Sequence, residues 1–330
     1  MLTKRQNLLE TIRGGSPDRF VNQFEYMDIV YSHPFDLQDP YPAYGQHNVT
    51  NSWGITLSWP EGTPGGFPVH TPEKIVCKDI EEWKTYVKAP AMAFTEEQWE
   101  TAIKDAEAID RREKFVTAFM APGIFERCHY LMKIEECMTA FYTNPDEMKD
   151  MIKYIAEWEL TWADQMCAHV HPDCLFHHDD WGTQISTFIS PDMFAEFYLD
   201  IYKEVYGFYK DHGVEVIVHH SDSYAETLVP YMIEMGIDIW QGVMTTNNIP
   251  EMIKKYGDKI TFQGGINSAS VDHPGWTKEE AAREVRRACT EYGKKAFIPN
   301  LSQGGDFSTF EGVYEAVSEE IDKMSKEMFA

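Results

Sequence analysis

The sequence predicts an α/β protein built as a (β/α)8 TIM barrel, a single domain over residues 1–330 with an insertion at about residues 28–113. Apolar, strand-like runs alternate with amphipathic helical patterns along most of the chain, and this alternation is typical of a parallel sheet covered by helices. The chain has 330 residues, 43% of them hydrophobic, which is enough to bury a large core. Seven or more units in this length favour a closed barrel, with a doubly wound sheet as the alternative.

The first strand is expected in RFVNQFEY, and the segment after it does not fit the alternation. Residues 28–113 are rich in Pro, Gly and aromatic side chains, so we expect an ordered excursion with a hairpin that covers one end of the barrel. The later strands are expected, in order, in KFVTAFMA, CLFHHD, VEVIVHH, IDIWQGV, KITFQGG and KAFIPNL. Helical patterns lie between most of them, among them Pro191 to Asp211, Ala225 to Met235, Thr277 to Tyr292 and Phe310 to Met328.

Composition restricts the partners and the compartment. Lys and Arg number 29 against 54 Asp and Glu, a formal net charge of −25, so neither nucleic acid nor an anionic membrane is an expected partner. No signal core or membrane-length apolar stretch occurs, and we expect a cytoplasmic protein. The six cysteines lack CxxC spacing and are expected to be buried free thiols. No GxGxxG or GxxxxGK[ST] motif supports a dinucleotide or ATP site.

Polar side chains gather where the predicted strands end. In a (β/α)8 barrel the carboxyl ends of the strands converge on one rim, and the chemistry of such proteins takes place there. A ring of acids, amides and imidazoles at successive strand ends therefore predicts a functional site. The ring comprises Glu25, Tyr26, Glu126, Arg127, His177, His178, Asp179, Asp180, Trp181, His219, His220, Ser221, Asp222, Gln241, Gln263, Asn267, Asn300 and Gln303.

Structural roles compete with catalytic ones at several of these positions. His177 and His178 are neighbours on a strand, so one is expected to face the barrel interior and the other the helices. The second histidine pair repeats this pattern. Asp179 suits the cap of a helix or turn as well as it suits catalysis. Trp181 suits packing, or an apolar wall for a flat substrate.

Six stretches carry a family resemblance when they are taken in order. They are LLETIRGGSPDR, APGIFERCHYLMKIEECMTAFYTNPDEM, HHDDWGTQISTFISPDMFAEFYLDIYKEVYGFYKDHG, VIVHHSDSYAETLVPYMIEMGIDIWQG, ITFQGGINS, and FIPNLSQGG with the later FEGVYEAV. Their order resembles the uroporphyrinogen decarboxylase superfamily across nearly the whole chain. The resemblance implies the (β/α)8 barrel and two alternative activities, which are tetrapyrrole decarboxylation and methyl transfer to or from corrinoid proteins.

Departures from the family patterns favour methyl transfer. The decarboxylases carry an arginine-rich stretch similar to RQAGR after the first strand, whereas the corresponding segment here, EYMDIVYSHPF, has no arginine to bind a polycarboxylate. Gln303 or Ser302 stands in place of the histidine of the late GHG motif. Thiol-activating methyltransferases of the superfamily bind zinc through HxC and a distant Cys, but HSD here pairs His220 with Asp222. Imidazole with carboxylate suits a harder, more Lewis-acidic site.

The resemblance and these departures imply a methyltransferase that moves a methyl group from a small donor, such as an O-methylated aromatic compound, to the cob(I)alamin of a separate corrinoid protein. The leaving oxygen needs a proton or a Lewis acid. The expected catalytic residues are Asp180, His178 and Glu126, and the expected zinc ligands are His220 and Asp222. The expected substrate contacts are Glu25, Tyr26, Asp179, Trp181, Gln263 and Gln303.

Two other hypotheses remain open. A decarboxylase or other lyase acting on a small carboxylic acid or a tetrapyrrole would use the pair formed by Asp179 and Asp180 as its acid and would need no corrinoid partner. A binding barrel without catalysis is the other, and the many ionisable residues on the rim count against it. The sequence does not fix the oligomeric state, and a homodimer is compatible with it.

Overall fold

The computed structural model describes residues 1–63 and 65–330, which form two β-sheets and a layer of helices. The strands are β1 (Met27–Ile29), β2 (Val49–Thr50), β3 (Thr56–Ser58), β4 (Phe67–Pro68), β5 (Phe115–Met120), β6 (Cys174–His178), β7 (Val216–His220), β8 (Ile239–Val243), β9 (Thr261–Ile266) and β10 (Phe297–Leu301). The helices are α1 (Lys4–Ile12), α2 (Pro34–Gln38), α3 (Trp83–Tyr86), α4 (Glu96–Ala108), α5 (Ile124–Met132), α6 (Ile134–Thr143), α7 (Pro145–His169), α8 (Pro191–Phe194), α9 (Asp200–Asp211), α10 (Val229–Glu234), α11 (Ile249–Tyr256), α12 (Ser268–Val271), α13 (Lys278–Tyr292) and α14 (Val313–Met328).

Seven strands form one parallel sheet in the order β1-β5-β6-β7-β8-β9-β10. Side chains of the two outermost strands, Met27 of β1 and Ile298 of β10, share one buried cluster with side chains of β5, β6, β7 and β8. The sheet is therefore curled into a barrel around this cluster, and the predicted fold class is confirmed. The described residues contain seven barrel strands where eight were expected, one from each of the seven apolar runs in the sequence.

The register of the strands decides which polar side chains face the barrel interior. His178 lies opposite His220, His220 opposite Gln241, and Gln241 opposite Gln263. Phe176, two residues before His178, belongs to the inner apolar cluster. Because side chains alternate along a strand and paired neighbours share a face, the whole row points inward.

The intervening histidines face the helices, as the sequence predicted for one member of each pair. Nε2 of His177 lies 2.7 Å from Oε1 of Glu159 on α7, and both side chains are fully buried. Nδ1 of His219 lies 2.8 Å from the hydroxyl of Tyr206 on α9. These hydrogen bonds satisfy polar groups that would otherwise be costly to bury between sheet and helices.

The segment between β1 and β5 forms the predicted excursion. Strands β2, β3 and β4 make a small antiparallel sheet that contains the expected hairpin. The excursion packs on α5, since the buried guanidinium of Arg127 lies 4.8 Å from the ring centroid of Trp53 and 5.0 Å from that of Trp158. The same group donates to the carbonyl of Pro122 at 2.7 Å. The excursion is thus anchored to the helix that begins just after β5.

All six cysteines are free and buried, which confirms that expectation. Burial raises the pKa of the Cys128 thiol to about 12 and that of the Cys167 thiol to about 11, so neither is a ready nucleophile at neutral pH. None of the helices in residues 1–63 and 65–330 is both long enough and apolar enough to span a membrane.

Replacing Trp53 with alanine should destabilise the barrel as a whole. The Trp53 side chain is 2% exposed and packs edge-to-face on Trp158 at 5.1 Å. Loss of a buried tryptophan side chain costs about 3–5 kcal/mol, so we expect a lower urea midpoint with a single transition. Tyr142→Ala, at a position 75% exposed, is the control and should leave the midpoint unchanged. A separate early transition with an unchanged main midpoint would show that the excursion unfolds independently.

Candidate active site at the ends of β6 and β7

The candidate site lies where β6 and β7 end side by side. His178 and His220 are the last residues of these strands, and Asp180 and Asp222 follow each of them by two residues. Ligand atoms of His178, Asp180 and His220 all lie within 4.8 Å of one another. Within residues 1–63 and 65–330, no other group of three His, Cys, Asp or Glu side chains is this compact. We call these three residues the triad.

Short contacts hold the triad together. The imidazole rings of His178 and His220 stack with centroids 4.3 Å apart, and Nε2 of His220 lies 3.9 Å from Oδ1 of Asp180. The backbone N–H of Asp222 donates to the same oxygen at 2.9 Å. The most compact group of ligand atoms therefore joins His220 to Asp180 and His178, and the predicted pairing of the His220 imidazole with the Asp222 carboxylate stays a prediction. The adjacent strand brings His178 and Asp180 against His220, whereas Asp222 contributes its backbone N–H.

Glu126 and Gln241 fix the orientation of the two imidazoles. Oε2 of Glu126 lies 3.0 Å from Nδ1 of His178, and Oε1 of Gln241 is hydrogen-bonded to Nδ1 of His220. Both oxygens are acceptors, so each Nδ1 atom donates and each Nε2 atom is left for another partner. Imidazoles that bind metals are typically held in this way by an oxygen behind them.

Burial and charge set different protonation states for the two histidines. Burial lowers the pKa of His178, but the carboxylates of Glu126, Asp180 and Asp222 outweigh it and raise that pKa to about 10. Burial and the neighbouring His178 lower the pKa of His220 to about 4. Burial raises the pKa of Glu126 to about 7, despite the opposing effect of His178. The site thus has a negative potential that favours a positive charge among its carboxylates.

Gln303 reaches the site from the loop after β10. Its side chain lies close enough to Asp222 to lower the pKa of that carboxyl, and its backbone N–H donates to Oγ of Ser268 at 2.9 Å. Burial and the charge of Asp180 raise the pKa of Asp222 to about 8, although the Gln303 side chain lowers it. The loops after β7, β9 and β10 are therefore joined beside the triad, and a carboxyl and an amide both face it.

Asp179 faces away from the triad and caps α5. Its carboxylate accepts the backbone N–H groups of Phe125 at 3.0 Å and Glu126 at 2.8 Å, and it also accepts the hydroxyl of Tyr202. Burial raises its pKa, and the side chain has no exposed surface. Of the two roles expected for Asp179, the structure shows the helix cap. Through this cap Asp179 sets the position of Glu126, and with it the partner of His178.

Three more predicted substrate contacts lie apart from the triad. Strand β1 begins at Met27, so Glu25 and Tyr26 precede the strand and do not end it. Glu25 accepts the backbone N–H of Asn22 at 3.1 Å, which turns its carboxylate back along its own segment. The Tyr26 hydroxyl donates to Oε1 of Gln263 at 2.8 Å, and both side chains are fully buried. Tyr26 and Gln263 satisfy each other inside the barrel, because Gln263 belongs to the inward-facing row.

Trp181 also lies outside the site. Its side chain is 1% exposed, and its ring stacks on His219 at 3.8 Å and meets Phe194 edge-on at 4.7 Å. Residues 177, 179 and 181 all turn toward the helices, since they alternate with the inward-facing 178 and 180. Of the two roles expected for Trp181, the structure shows packing.

The sequence prediction did not include two residues of α5 that approach the triad. The Tyr130 hydroxyl lies 3.5 Å from Oε1 of Glu126. Burial lowers the pKa of His129 to about 4, against the opposing charge of Asp180. Positions three and four residues after Glu126 share its helix face, so this signal was present in the sequence. Gln241 was placed on the rim without a role, and the register with His220 supplies that role.

Comparison with known proteins identifies the family. The family model for uroporphyrinogen decarboxylase (URO-D) matches residues 48–324. The chain belongs to the uroporphyrinogen decarboxylase family. A structure described as a methyltransferase from Methanosarcina mazei has a TM-score of 0.70 at 14% identity, with 100% of both chains covered. A B12-independent methionine synthase from Shewanella sp. W3-18-1 in complex with selenomethionine has a TM-score of 0.45 at 13% identity, covering 73% of this chain and 72% of that one. No curated protein sequence gives a significant match.

In this member of the uroporphyrinogen decarboxylase family most strand-end segments lack Lys and Arg, although the excursion contains both after residue 73 and Lys74 contacts Asn48. No Lys or Arg occurs in residues 30–73, 179–190, 221–228, 244–248, 267–277 or 302–312. Arg127, which follows Glu126 on α5, is 3% exposed and engaged with the excursion. These loops surround the triad at the carboxyl end of the barrel, so a substrate with many carboxylates would find no Lys or Arg in these ranges to pair with.

The pH dependence of stability should change when Asp222 is replaced by asparagine. The pKa of Asp222 in the folded chain, about 8, exceeds its ordinary value of 3.8, so folding takes up a proton between these values. The contribution of Asp222 to the free energy of unfolding is fully present below about pH 4, and it is lost as the pH rises toward about 8. We measure the free energy of unfolding by urea denaturation in the presence of a chelator. Between about pH 5 and about pH 8 it should fall less for Asp222→Asn than for the wild type.

The control for this measurement is Asp258→Asn at an exposed position before β9, which should leave the wild-type pH slope unchanged. A slope for Asp222→Asn equal to that of the wild type would mean that the folded chain holds no extra proton at Asp222.

Proposed function

We propose that the barrel transfers a methyl group from a small O-methylated donor, of the aromatic ether class, to the cob(I)alamin of a separate corrinoid protein. The observation that carries the proposal is the triad of two oriented imidazoles and one carboxylate at the open end of the barrel. Membership of the uroporphyrinogen decarboxylase family supports an enzymatic role. The similarity over the whole chain to a structure described as a methyltransferase supports the reaction class.

The reaction breaks a methyl–oxygen bond and leaves negative charge on the oxygen. The electron pair that forms the new carbon–cobalt bond comes from cobalt(I) of the partner, and the departing oxygen keeps the pair of the broken bond. That oxygen must be stabilised by a proton or by a Lewis acid, since an uncompensated alkoxide or phenoxide is a poor leaving group. The side chains at the triad suit either form of stabilisation.

A divalent ion, which we propose to be zinc, would be held by Nε2 of His178, Nε2 of His220 and the Asp180 carboxylate, and its charge would displace the Nε2 proton of His178. When bound, such an ion supplies Lewis acidity to the leaving oxygen. Glu126 and Gln241 orient the two imidazoles from behind. A donor set of two imidazoles and one carboxylate leaves further coordination positions open, as catalytic zinc sites do.

The remaining polar groups bind and orient the donor. Asp222 and Gln303 face the triad from neighbouring loops and are the nearest hydrogen-bonding pair for a polar substituent on the donor. His129 and Tyr130 approach from α5 on the same side as Glu126. In a metal-free site, proton donation to the leaving oxygen falls to His178 or Asp180.

The geometry does not support the two lyase alternatives. Tetrapyrrole decarboxylation requires recognition of several carboxylates, and the strand-end segments 30–73, 179–190, 221–228, 244–248, 267–277 and 302–312 contain no Lys or Arg. A lyase using Asp179 and Asp180 as a carboxylate pair requires the two side chains to face each other. Instead, the Asp179 carboxylate is taken up by the amino end of α5. The shifted protonation states around the triad also argue against a barrel that only binds.

Metal binding should depend on the triad and not on the Asp222 carboxylate. We expect the wild type to bind about one equivalent of zinc, measured by equilibrium dialysis and elemental analysis, and Asp180→Ala and His220→Ala to lose it. Asp222→Ala should retain it, and His47→Ala at an exposed excursion position is the control. Gln241→Leu should weaken binding about 10–100-fold, because it removes the acceptor behind His220.

If Asp180→Ala retained zinc and Asp222→Ala lost it, the ligands would instead be His220 and Asp222, as the HSD spacing suggests. Absence of stoichiometric metal in the wild type, with activity insensitive to chelators, would assign leaving-group activation to protons alone.

Methyl transfer should be observable with free cob(I)alamin and a panel of methoxylated phenols and benzoates. We expect the cob(I)alamin absorption spectrum to change to that of methylcobalamin in the presence of the wild-type protein. Asp180→Asn should slow this change about 100- to 10,000-fold with a smaller effect on donor binding, because stabilisation of the leaving oxygen develops mainly in the transition state. Asp258→Asn is the control. Release of carbon dioxide from a carboxylic acid, without methylcobalamin from any donor, would replace this proposal with a lyase.

A further inference from the structure

The exposed apolar side chains of the protein are concentrated at one end of the barrel. Apart from Met1 and Tyr142, every large hydrophobic side chain exposed in residues 1–63 and 65–330 lies in one of three strand-end segments, residues 30–73, 179–190 and 302–312. Ile185 is 80% exposed and Phe307 is 78% exposed, although they belong to different loops. Because β1, β6 and β10 are parallel, the loops that follow them lie at the same end as the triad. Apolar exposure confined to one end of a protein in this way is typical of an interaction surface.

The aromatic side chains of the excursion are held in place. The hydroxyls of Tyr41 and Tyr44 accept the backbone N–H groups of Gly66 at 3.0 Å and Gly62 at 2.9 Å. Both rings also pack edge-to-face on Trp59, at 6.1 and 6.0 Å. Large aromatic groups that are ordered before binding lose little conformational entropy on contact, and such groups commonly anchor protein interfaces.

The same segments carry negative charge only. Asp36, Glu61, Asp306 and Glu311 are exposed, and the segments contain no Lys or Arg. Burial and the charges of Asp36 and Asp306 raise the pKa of Tyr31 to about 12, and the backbone N–H of Phe310 donates to Oδ1 of Asp272 at 2.7 Å, which joins the loops after β9 and β10. The acids therefore surround the mouth of the barrel. A basic surface is the complement that this arrangement favours.

We propose that the strand-end segments 30–73, 179–190 and 302–312 form a docking surface for a protein whose contacting face is basic with apolar side chains. The inference rests on the proposed function and assigns this surface to the corrinoid protein that accepts the methyl group. A second copy of this chain does not fit as the occupant, because two mouths placed face to face would bring like charges together. A partner seated here also excludes water from the triad below it.

Charge reversal on the rim should weaken the reaction with the corrinoid protein. The rate with free cob(I)alamin should stay unchanged, and it serves as the internal reference. For Asp306→Lys combined with Glu311→Lys, we expect kcat/KM for the corrinoid protein to fall about tenfold or more at low salt. Raising the ionic strength from about 0.05 M to about 0.5 M should lower the wild-type value and reduce the difference between the two proteins. The control combines Asp211→Lys with Asp258→Lys, two exposed acids at the opposite end of the barrel.

The apolar part of the surface is tested separately. Ile185→Ser combined with Phe307→Ser should weaken binding of the same corrinoid protein about tenfold or more, measured by calorimetry in the absence of donor. Tyr142→Ser removes an equally exposed aromatic ring elsewhere and should leave the affinity unchanged. Calorimetry does not depend on turnover, so it tests docking even where catalysis is impaired.

The outcomes separate the two proposals. Absence of methyl transfer from every donor to free cob(I)alamin by the wild type would refute the proposed function. With that transfer present, an unchanged affinity and kcat/KM for the corrinoid protein in both rim variants would refute the docking surface. Tighter binding after lysine substitution would also refute it, since the partner's face would then be acidic. A wild-type dimer that Ile185→Ser and Phe307→Ser dissociate would assign the surface to a second copy of this chain.

Discussion

The parallel pairing of β6 with β7 is the contact on which the site depends. Its register places His178 opposite His220, and the alternation of side chains then turns both imidazoles and the following Asp180 toward the barrel interior. A slip of one residue in either strand would turn that histidine toward the helices and separate the triad. The backbone hydrogen bonds between β6 and β7 therefore determine which side chains meet at this end of the barrel.

The outward-facing residues of the same strands support the inward-facing ones. Asp179 caps α5 and so presents Glu126 to His178, while Arg127, next in the helix, holds the excursion through Trp53. Helix α5 is thus hydrogen-bonded to the end of β6, supplies the carboxylate that orients His178 and contacts the excursion. This connection explains how a long segment with little regular structure remains ordered next to a polar site, because its anchors are buried aromatic and guanidinium contacts.

Negative charge links the buried site to the surface around it. At the triad, partly buried carboxylates hold a positive charge on His178 and favour a cation among them. At the rim, exposed acids in segments that contain no Lys or Arg favour a basic partner over an anionic substrate. The same potential therefore selects against the polycarboxylate chemistry for which the family is named, and it is consistent with a small donor and a protein acceptor.

The sequence by itself determined the barrel class, the excursion, the family and the end of the barrel at which the polar residues gather, because strand periodicity and motif order are local properties. It also determined that each histidine pair must split between the two faces of the sheet. Only the tertiary structure decided which histidine of each pair faces the barrel interior. It also brought Asp180 and His178 next to His220, and it placed the Asp222 side chain beside Gln303. Glu25, Tyr26, Asp179, Trp181 and Gln263 lie apart from the triad for the same reason. Strand boundaries, register and helix caps are set by contacts between segments distant in the chain, and a pattern within one segment does not contain them.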